Sequence, residues 1–471
     1  MKPQNLIHTL MAIVCFALSP QTRAVDPPHT PDPPPLPISN TADGQLALAG
    51  VTGIYNSAFG IYALLSNGAA DFNTGIGAGV LLSNTANEQT AVGAGTLFSN
   101  TTGQENTGCG IFALFTNSTG QFNTAVGANS LLSNVDGSNN SALGEGALHS
   151  NIHASGNTAI GESALANNDS SGSNTASNNT AVGNRALETN IDGSGHTAVG
   201  FFALQNCIAP PDFAGNTAIG SEALFSDTTG NFNTALGGSA LKANASGSSN
   251  TAIGTGALLF STGNGNTALG ANAGNDVATA NNVICIGNSG ADVSGTTWIS
   301  NVFGVTTQSG TTAPVIVSDT GQLGTVASSE RFKKDIATME KASEAILALR
   351  PVTFHYKSDA KETPQFGLVA EEVAKVNPAL VLPDKEGKPY TVRYDAVNAM
   401  LLNEFLKEHL AVQDQGATIV QQQEEIKALK EELKEQASQI QKVSAQLQLR
   451  KFATGRIRGG GPEPQPVLNN P

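Results

Sequence analysis

The residues of this chain whose types and spacing could carry covalent chemistry lie in one short segment, Ser328–Ile336, with the sequence SSERFKKDI. The hydroxyl of Ser328 and the amine of Lys333 are five residues apart. A serine hydroxyl is a weak nucleophile until a neighbouring base accepts its proton, and a lysine that loses its charge on burial can be that base. The segment therefore predicts a serine nucleophile with a lysine general base. Ser329 and Lys334 have the same spacing, so spacing alone leaves two registers open.

The same segment is also typical of a helix start. Ser328 or Ser329 would then be the N-terminal cap, Glu330 would lie in the first turn, and the lysines would be solvated. From residue types alone this structural interpretation is the more frequent outcome, because serine is a common cap. No Ser-His-Asp arrangement competes, since His355 and His409 are the only histidines after Ser328 and neither lies in a motif.

The segment lies where the composition of the chain changes. Residues 40–327 contain 16 acidic and 2 basic residues, whereas residues 328–471 contain 20 of each. The net charge of −14 thus comes from the first region, which lacks the clustered Lys and Arg that nucleic-acid binding requires. No nucleic-acid partner is expected. A chain of 471 residues is too long for one ordinary core, so several structural units are expected.

The N-terminus predicts export. A positively charged start precedes an apolar run from Leu10 to Leu18, and Thr22–Ala24 offers a small residue for cleavage, so residues 1–24 are predicted to be a signal peptide. The apolar run is too short to span a bilayer, and a retained anchor or a buried helix is the alternative. The mature protein is expected to have no membrane span and to be secreted or held at the cell surface. Residues 25–40 are rich in proline and predict an extended linker.

A unit of 16 or 17 residues recurs along residues 41–296, with two longer intervals. Each unit has Ala and an aliphatic residue before a glycine, followed by Ala-Leu, and Asn, Ser, Gly or Asp elsewhere. The glycine recurs at positions 60, 77, 93, 110, 127, 144, 161, 183, 200, 220, 237, 254, 270 and 287. Helical repeats need roughly 30 or more residues per unit, and Asn and Gly suit tight corners. The pattern predicts a mainly β fold, a β-solenoid (β-roll) with two short strands per unit.

Stacking of like residues on like is expected to stabilise this solenoid, because one coil buries little surface alone. The Asn of each Asn-Thr-Ala would form a ladder of amides at a corner. The interior of so short a coil is thin, and burial of the Ala and Leu faces between three chains would compensate for it. The repeats therefore predict a homotrimer.

The repeats, over about residues 50–290, resemble the heads of trimeric autotransporter adhesins. In those proteins a shorter unit of the form Asn-x-x-Ala-Ile-Gly winds a left-handed β-roll in each of three chains. The resemblance implies a trimeric stalk exposed at a surface.

Three cysteines follow the predicted signal peptide, and their wide spacing gives neither a disulfide framework nor a set of metal ligands. Cys109 and Cys285 stand where other units have small apolar residues, which predicts buried thiols. Cys207 lies in an insertion of the repeat and is a candidate exposed thiol. No metal and no cofactor is expected.

The regular period ends before residues 297–327, which predict a neck with a small hairpin at Asp319–Gly321. Residues 328–411 predict a small α+β domain. Its helices are expected around Met339–Leu349 and Leu368–Val376.

This α+β domain resembles the self-cleaving intramolecular chaperone domain of phage endosialidases, tail fibres and exported bacterial proteins. The motif of that family is Ser, Asp or Ser, any residue, Arg, an apolar residue, Lys, any residue, Asp or Asn, and Ile. The segment from Ser328 to Ile336 matches it, and the stretches LRPVTFHYK, FGLVAEEV and YDAVNAMLLNE match as well.

The resemblance implies a role for individual residues. Ser328 would be the nucleophile, Lys333 its general base, and the bond between Ala327 and Ser328 the one that is cut. Arg331 and Asp335 match the motif in this register and would shape the site rather than react.

After the α+β domain, residues 412–450 predict a coiled coil. An alternative is a single solvated helix. Isoleucine at the first heptad position favours three or four strands over two. The apolar residues seven apart are Val412, Ile419, Ile426, Leu433, Ile440 and Leu447. Residues 451–471 predict a disordered tail.

Taken together, the sequence predicts an exported, adhesin-like trimeric fibre whose C-terminal chaperone drives assembly and releases itself by autoproteolysis. One alternative is an uncleaved cell-surface adhesin or structural protein in which the C-terminal unit is only a trimerisation cap. Another is a phage-type fibre that binds or degrades polysaccharide. A surface glycan or another cell-envelope component is the class of ligand that such a fibre would meet.

Overall fold

The computed structural model describes residues 39–208 and 215–454, without the side chains of residues 452–454. The predicted signal peptide, most of the predicted linker and nearly all of the predicted tail lie outside these residues. The chain divides into two compact units after Gly310. Among the described residues, no helix is both long and apolar enough to cross a membrane.

The first unit is a β-solenoid in which each coil contributes one three-residue strand to a single parallel sheet of 16 strands. The mainly β, repetitive fold is therefore confirmed. The strands are β1 Thr41–Asp43, β2 Ser57–Phe59, β3 Thr74–Ile76, β4 Thr90–Val92, β5 Thr107–Cys109, β6 Thr124–Val126, β7 Ser141–Leu143, β8 Thr158–Ile160, β9 Thr180–Val182, β10 Thr197–Val199, β11 Thr217–Ile219, β12 Thr234–Leu236, β13 Thr251–Ile253, β14 Thr267–Leu269, β15 Ile284–Ile286 and β16 Thr297–Ile299.

The register of the sheet places like residues on like. In β6 and β7, for example, Ala125 pairs with Ala142 and Val126 with Leu143. The central residue of each strand from β2 to β15 points into the coil and is buried, whereas the first and third residues face outward. The β-branched Thr, Val and Ile at the outward positions favour extended backbone.

The glycine after each strand is required by a close approach of neighbouring coils. Gly127 has a φ of 134°, and a Cβ built on it would lie 2.4 Å from the carbonyl oxygen of Gly144 in the next coil. No other residue type tolerates both conditions. The recurring glycine therefore forms a column along the solenoid.

The second side of each coil is not the strand that we predicted. Its buried leucine has a left-handed backbone, with a φ of 49° at Leu131 and similar values in the other coils. The N–H of Leu131 donates to the carbonyl of Ala147 at 3.0 Å, so coils are still joined there by hydrogen bonds. The prediction of two strands per unit was wrong because this side bonds to its neighbours without extended backbone.

The core of the solenoid lies inside one chain. Alanines such as Ala125 and leucines such as Leu131 are fully buried by the coils of a single copy. The expectation that the Ala and Leu faces are buried between chains was therefore wrong. The small alanine side chain fits the thin interior that the strand and the leucine side leave between them.

Two ladders of buried asparagine run along the corners of the coils. The Asn before the strand, such as Asn123, donates to the carbonyl of Gly137 at 2.8 Å, and its Oδ1 accepts from the N–H of Asn140 at 3.0 Å. A second ladder joins Asn134 to Asn117 at 2.7 Å. The predicted amide ladder is confirmed, with the amides inside the coil rather than at its surface.

Cys285 is buried, as predicted, but the other two predictions about thiols were wrong. Cys207 is buried in the place of a ladder asparagine. Cys109 is exposed because it is the third residue of β5, which faces outward.

The second unit begins with a hairpin of β17 Ile316–Val317 and β18 Leu323–Gly324. Two antiparallel pairs follow, β19 Val352–Phe354 with β20 Gln365–Gly367 and β21 Val381–Pro383 with β22 Pro389–Val392. The helices are a 3₁₀ segment at Glu340–Ala348, α1 Ala370–Val376, a short 3₁₀ turn at Pro378–Leu380 and α2 Tyr394–Thr454. The helix predicted near Met339–Leu349 is thus 3₁₀ in form.

Candidate functional site

The segment that carries the predicted dyad is a short turn rather than the start of a helix. Glu330–Phe332 is a single 3₁₀ turn, closed by the N–H of Phe332 on the carbonyl of Ser329 at 3.0 Å. The side chain of Ser329 forms no capping hydrogen bond, and Lys333 already has extended backbone. The structural alternative is thus met in part: Ser329 precedes the turn, Glu330 lies in it and both lysines are exposed, but no serine side chain caps it and it does not continue into a longer helix.

Every residue from 301 to 338 is exposed in the single copy, including Ala327, Ser328 and Lys333. Among the described residues, no hydrogen bond joins the hydroxyl of Ser328 to the amine of Lys333. One copy therefore has the two predicted groups on either side of one 3₁₀ turn, both in water.

The two supporting residues have distinct local roles. The guanidinium of Arg331 lies over the ring of Phe332, 4.6 Å from its centroid, which is a cation–π geometry. Asp335 has a φ of 55°, a left-handed conformation that aspartate tolerates better than most residues. Asp335 thus turns the backbone just after the lysines. The apolar side chains of the motif, Phe332 and Ile336, are 63% and 64% exposed.

A serine and a lysine that do meet lie elsewhere in this unit, and the sequence did not indicate them. Ser343 is fully buried, and its hydroxyl accepts from Asn403 at 2.7 Å and from Lys407 at 3.4 Å. It also forms a short hydrogen bond with the carboxylate of Glu404.

This cluster holds the 3₁₀ segment against α2 and is not a second dyad. Lys407 forms an ion pair with Glu404 at 2.7 Å and lies 3.9 Å from Glu344, so its amine is paired with carboxylates, and its contact with Ser343 is the longer one at 3.4 Å. The hydrogen bond from Lys407, and then that from Ser343, holds the pKa of Glu404 below its ordinary value. The partners are about 60 residues apart in sequence, which no spacing rule could have found.

Two further contacts order the small domain. The guanidinium of Arg350 forms two hydrogen bonds with Glu372 of α1, at 3.1 and 2.5 Å, and this contact raises the pKa of Arg350 and lowers that of Glu372. The N–H of Leu368 donates to the hydroxyl of Tyr394 at 3.0 Å. The first contact joins α1 to the start of β19, and the second joins the end of β20 to α2.

The apolar core of this unit is small. Among its described residues, the buried apolar side chains are Val373, Leu380, Val392 and Met400. An open apolar groove of about 700 Å³ lies beside them, with Phe366, Tyr394 and Leu401 among its lining residues. Much of the apolar surface of the unit thus faces solvent in one copy.

No group of three or more His, Cys, Asp or Glu side chains suited to a metal ion occurs in the part of the chain that the structure describes. The chemistry that the site can offer from its own residues is that of a hydroxyl, an amine and a guanidinium.

Residues 328–382 match the family model described as the chaperone of endosialidase. No curated protein and no solved structure has significant similarity to the chain. The match begins at Ser328, the first residue of the motif that we identified in the sequence. This chain therefore carries an endosialidase-type chaperone domain C-terminal to a β-solenoid in the sequence.

Proposed function

We propose that the chain is an exported homotrimeric fibre whose C-terminal domain assembles three copies and then cuts the bond between Ala327 and Ser328. The observation that carries this proposal is the apolar surface that one copy of the C-terminal unit leaves in water. Phe366 is 80% exposed and Phe405 is 61% exposed, whereas the core has four buried apolar side chains. A domain with so little core needs partners to be stable.

Helix α2 supports the same assembly. Its heptad residues, among them Ile419, Ile426 and Leu433, are all more than half exposed. Isoleucine at such positions favours three or four strands over two. Three copies of α2 would bury this seam and give the chains a common register before the repeats wind.

Ser328 is both the proposed nucleophile and the residue that supplies the nitrogen of the bond to be cut. Lys333 takes the proton of the hydroxyl, and the oxygen adds to the carbonyl carbon of Ala327. When the carbon–nitrogen bond breaks and that nitrogen gains a proton, Ala327 is joined to the hydroxyl oxygen as an ester, and Ser328 has a free amine. Water then hydrolyses the ester, which leaves a carboxylate on Ala327 and restores the hydroxyl.

The exposure of both groups in one copy predicts the order of events. A lysine in water keeps its proton at neutral pH, so Lys333 can become a base only when something removes it from water. Association of the three C-terminal units supplies that burial. Cleavage would then follow assembly, and removal of the C-terminal unit would trap the finished fibre kinetically, because separated chains could not refold without it.

The test is the fate of the purified full chain on a denaturing gel and by intact mass. We expect two fragments, the second with Ser328 at its N-terminus. Ser328→Ala and Lys333→Ala should leave one full-length band, whereas the neighbouring variants Ser329→Ala and Lys334→Ala should still be cut. Cleavage lost in the second pair and kept in the first would assign the other register.

A further variant tests the dependence on assembly. Ile426→Asn places an amide in the proposed seam, about 100 residues from the cut, and should reduce the cleaved fraction at least tenfold at equal concentration. Glu425→Gln on the same helix is the control and should be cut as the wild type is. Full cleavage of a monomeric Ile426→Asn chain would refute the order of events. A wild-type chain that is trimeric in solution but gives a single full-length band on the denaturing gel would favour the uncleaved adhesin.

A further inference from the structure

The outward face of the parallel sheet carries an uninterrupted row of uncharged side chains. We call this row the outer stripe and define it as the third residue of each strand from β2 to β16. Its members are aliphatic apart from one phenylalanine and one cysteine. They are half-buried to exposed, with Ile160 at 40% and Leu236 at 44%. The third residue of β1, Asp43, ends the row.

A parallel sheet with one face in water is unusual, because parallel sheets are normally covered on both faces. Strands in a sheet are about 4.8 Å apart, so the outer stripe extends for about 70 Å, and at a width of about 10 Å it presents about 700 Å². The largest apolar patch on a typical monomer is about 300–600 Å². An interface of standard size uses about 800 Å² from each partner. The stripe is therefore large enough to be an interface.

We propose that the outer stripes of three copies of this chain meet along a common axis and form the core of the trimeric stalk. This inference rests on the proposed function for the number and parallel direction of the copies. Each coil would contribute one side chain per chain to a layer, and successive layers would follow at the spacing of the strands. A stripe one side chain wide suits such an axis.

The pattern of the stripe favours another copy over a different partner. Identical copies in parallel and in register have the same repeat of about 4.8 Å, so every side chain meets its own counterpart over the whole length. The charge of the region points the same way. Residues 40–327 carry 16 acidic and 2 basic residues, and none of them lies in the stripe, so no like charge opposes the burial of the stripe against another copy.

The chain carries its own probe of this arrangement. Cys109 is the stripe residue of β5 and is exposed, whereas Cys207 and Cys285 are buried. Around a common axis the three Cys109 thiols would lie side by side. Oxidation of two of them by copper phenanthroline gives one disulfide, provided that their Cβ atoms approach to about 4 Å.

The experiment is oxidation of the full chain carrying Ser328→Ala, followed by a non-reducing denaturing gel. We expect covalent dimers that include at most two of the three chains in each trimer, and none with Cys109→Ser. A matched control combines Cys109→Ser with Thr119→Cys. Thr119 is exposed on another side of the same coil, and we expect no dimer there.

A second measurement distinguishes a failure of the outer stripe as the interface from a failure of the proposed assembly by the C-terminal unit. The variant Leu236→Asp/Ile253→Asp places charge in the stripe, and the cleaved stalk that carries it should dissociate to monomers in sedimentation, with an unchanged circular dichroism spectrum. A trimeric full chain that gives no Cys109 dimer, or a cleaved stalk that stays trimeric with both aspartates, would overturn the outer stripe as the interface and leave assembly by the C-terminal unit intact. A full chain that is monomeric would overturn both.

Discussion

Two titratable side chains replace asparagine in the buried ladders of neighbouring coils, and they should give stability opposite responses to pH. His196 is fully buried, its Nδ1 accepts from the N–H of Asn216 at 3.3 Å, and its Nε2 lies 3.8 Å from the sulfur of Cys207. Asp227 is also fully buried, and its carboxylate accepts from the side chain of Asn216 and the N–H of Gly230, both at 2.9 Å. Burial lowers the pKa of His196 to about 4 and raises that of Asp227 to about 7.

The sign of each effect follows from which state binds the extra proton. His196 takes up a proton near pH 6.5 when unfolded but near 4 when folded, so its contribution to stability is lost as the pH falls through this range. Asp227 releases its proton near 3.8 when unfolded but near 7 when folded, so its contribution is lost as the pH rises. The displacements correspond to about 3 kcal/mol for His196 and about 4 kcal/mol for Asp227. Between pH 4 and 6.5 the two residues change the free energy of unfolding with pH at equal and opposite rates, so their effects cancel.

Replacing either titratable residue by asparagine, the usual residue of the ladders, should reveal how the other one makes stability depend on pH. Asp227→Asn leaves His196 alone, and stability should rise by about 3 kcal/mol from pH 4 to 6.5. His196→Asn leaves Asp227 alone, and stability should fall by about 4 kcal/mol from pH 4 to 7. The measurement is the guanidinium midpoint of the full chain at fixed concentration across this range. Subtraction of the profile of the double variant His196→Asn/Asp227→Asn removes the other titrating groups.

The double variant His196→Asn/Asp227→Asn is the control, because it restores asparagine at both places and should show neither slope relative to the wild type between pH 4 and 6.5. Parallel profiles for the wild type and both single variants would refute the reasoning, since they would mean that neither group is perturbed by burial. Single-variant stabilities that change with pH in the opposite directions would also refute the reasoning.

The solenoid gives two more matched comparisons, both by the guanidinium midpoint. Gly237→Ala should cost more than about 3 kcal/mol, because Gly237 has a φ of 137° and a Cβ there would lie 2.5 Å from the backbone of Gly254. Its neighbour Gly238→Ala should change stability by less than about 1 kcal/mol, since the nearest atom is 3.9 Å away; equal effects would contradict the glycine column. Asn134→Ala should cost about 2 to 3 kcal/mol because it unpairs buried amides. Asn184→Ala removes only an exposed hydrogen bond to a glutamate and should be nearly neutral, so a similar loss in both would argue against the ladder.

The repeat and its β character could be predicted from the sequence because both depend on residues that recur at a fixed spacing. The left-handed backbone of Leu131 could not, because leucine has no intrinsic preference for it. The conformation is stabilised by the hydrogen bond to the next coil, a contact between units rather than a property of one. The burial of Ala125 within one chain was missed for a related reason, since the alternation of residue types does not say how far apart the two sides of a coil lie.

The start of the C-terminal domain could also be predicted, because the motif from Ser328 to Ile336 is contiguous and the family match begins at Ser328. A contact between Ser328 and Lys333 could not, since one copy leaves both residues in water. The cluster of Ser343, Glu404 and Lys407 joins residues about 60 positions apart. Such a contact depends on how the 3₁₀ segment lies against α2, which neither local pattern determines.

The glycine column has a consequence for how this molecule can change in length. The number of residues from one column glycine to the next varies, yet a Cβ on Gly161 would lie 2.5 Å from the carbonyl of Gly183, and one on Gly200 would lie 2.4 Å from that of Gly220. The extra residues of the two long units therefore leave the axial step unchanged. Gaining or losing a whole repeat would therefore move the far end of the solenoid by about 4.8 Å without changing the spacing of the other coils. The length of the solenoid can thus evolve in steps of one repeat.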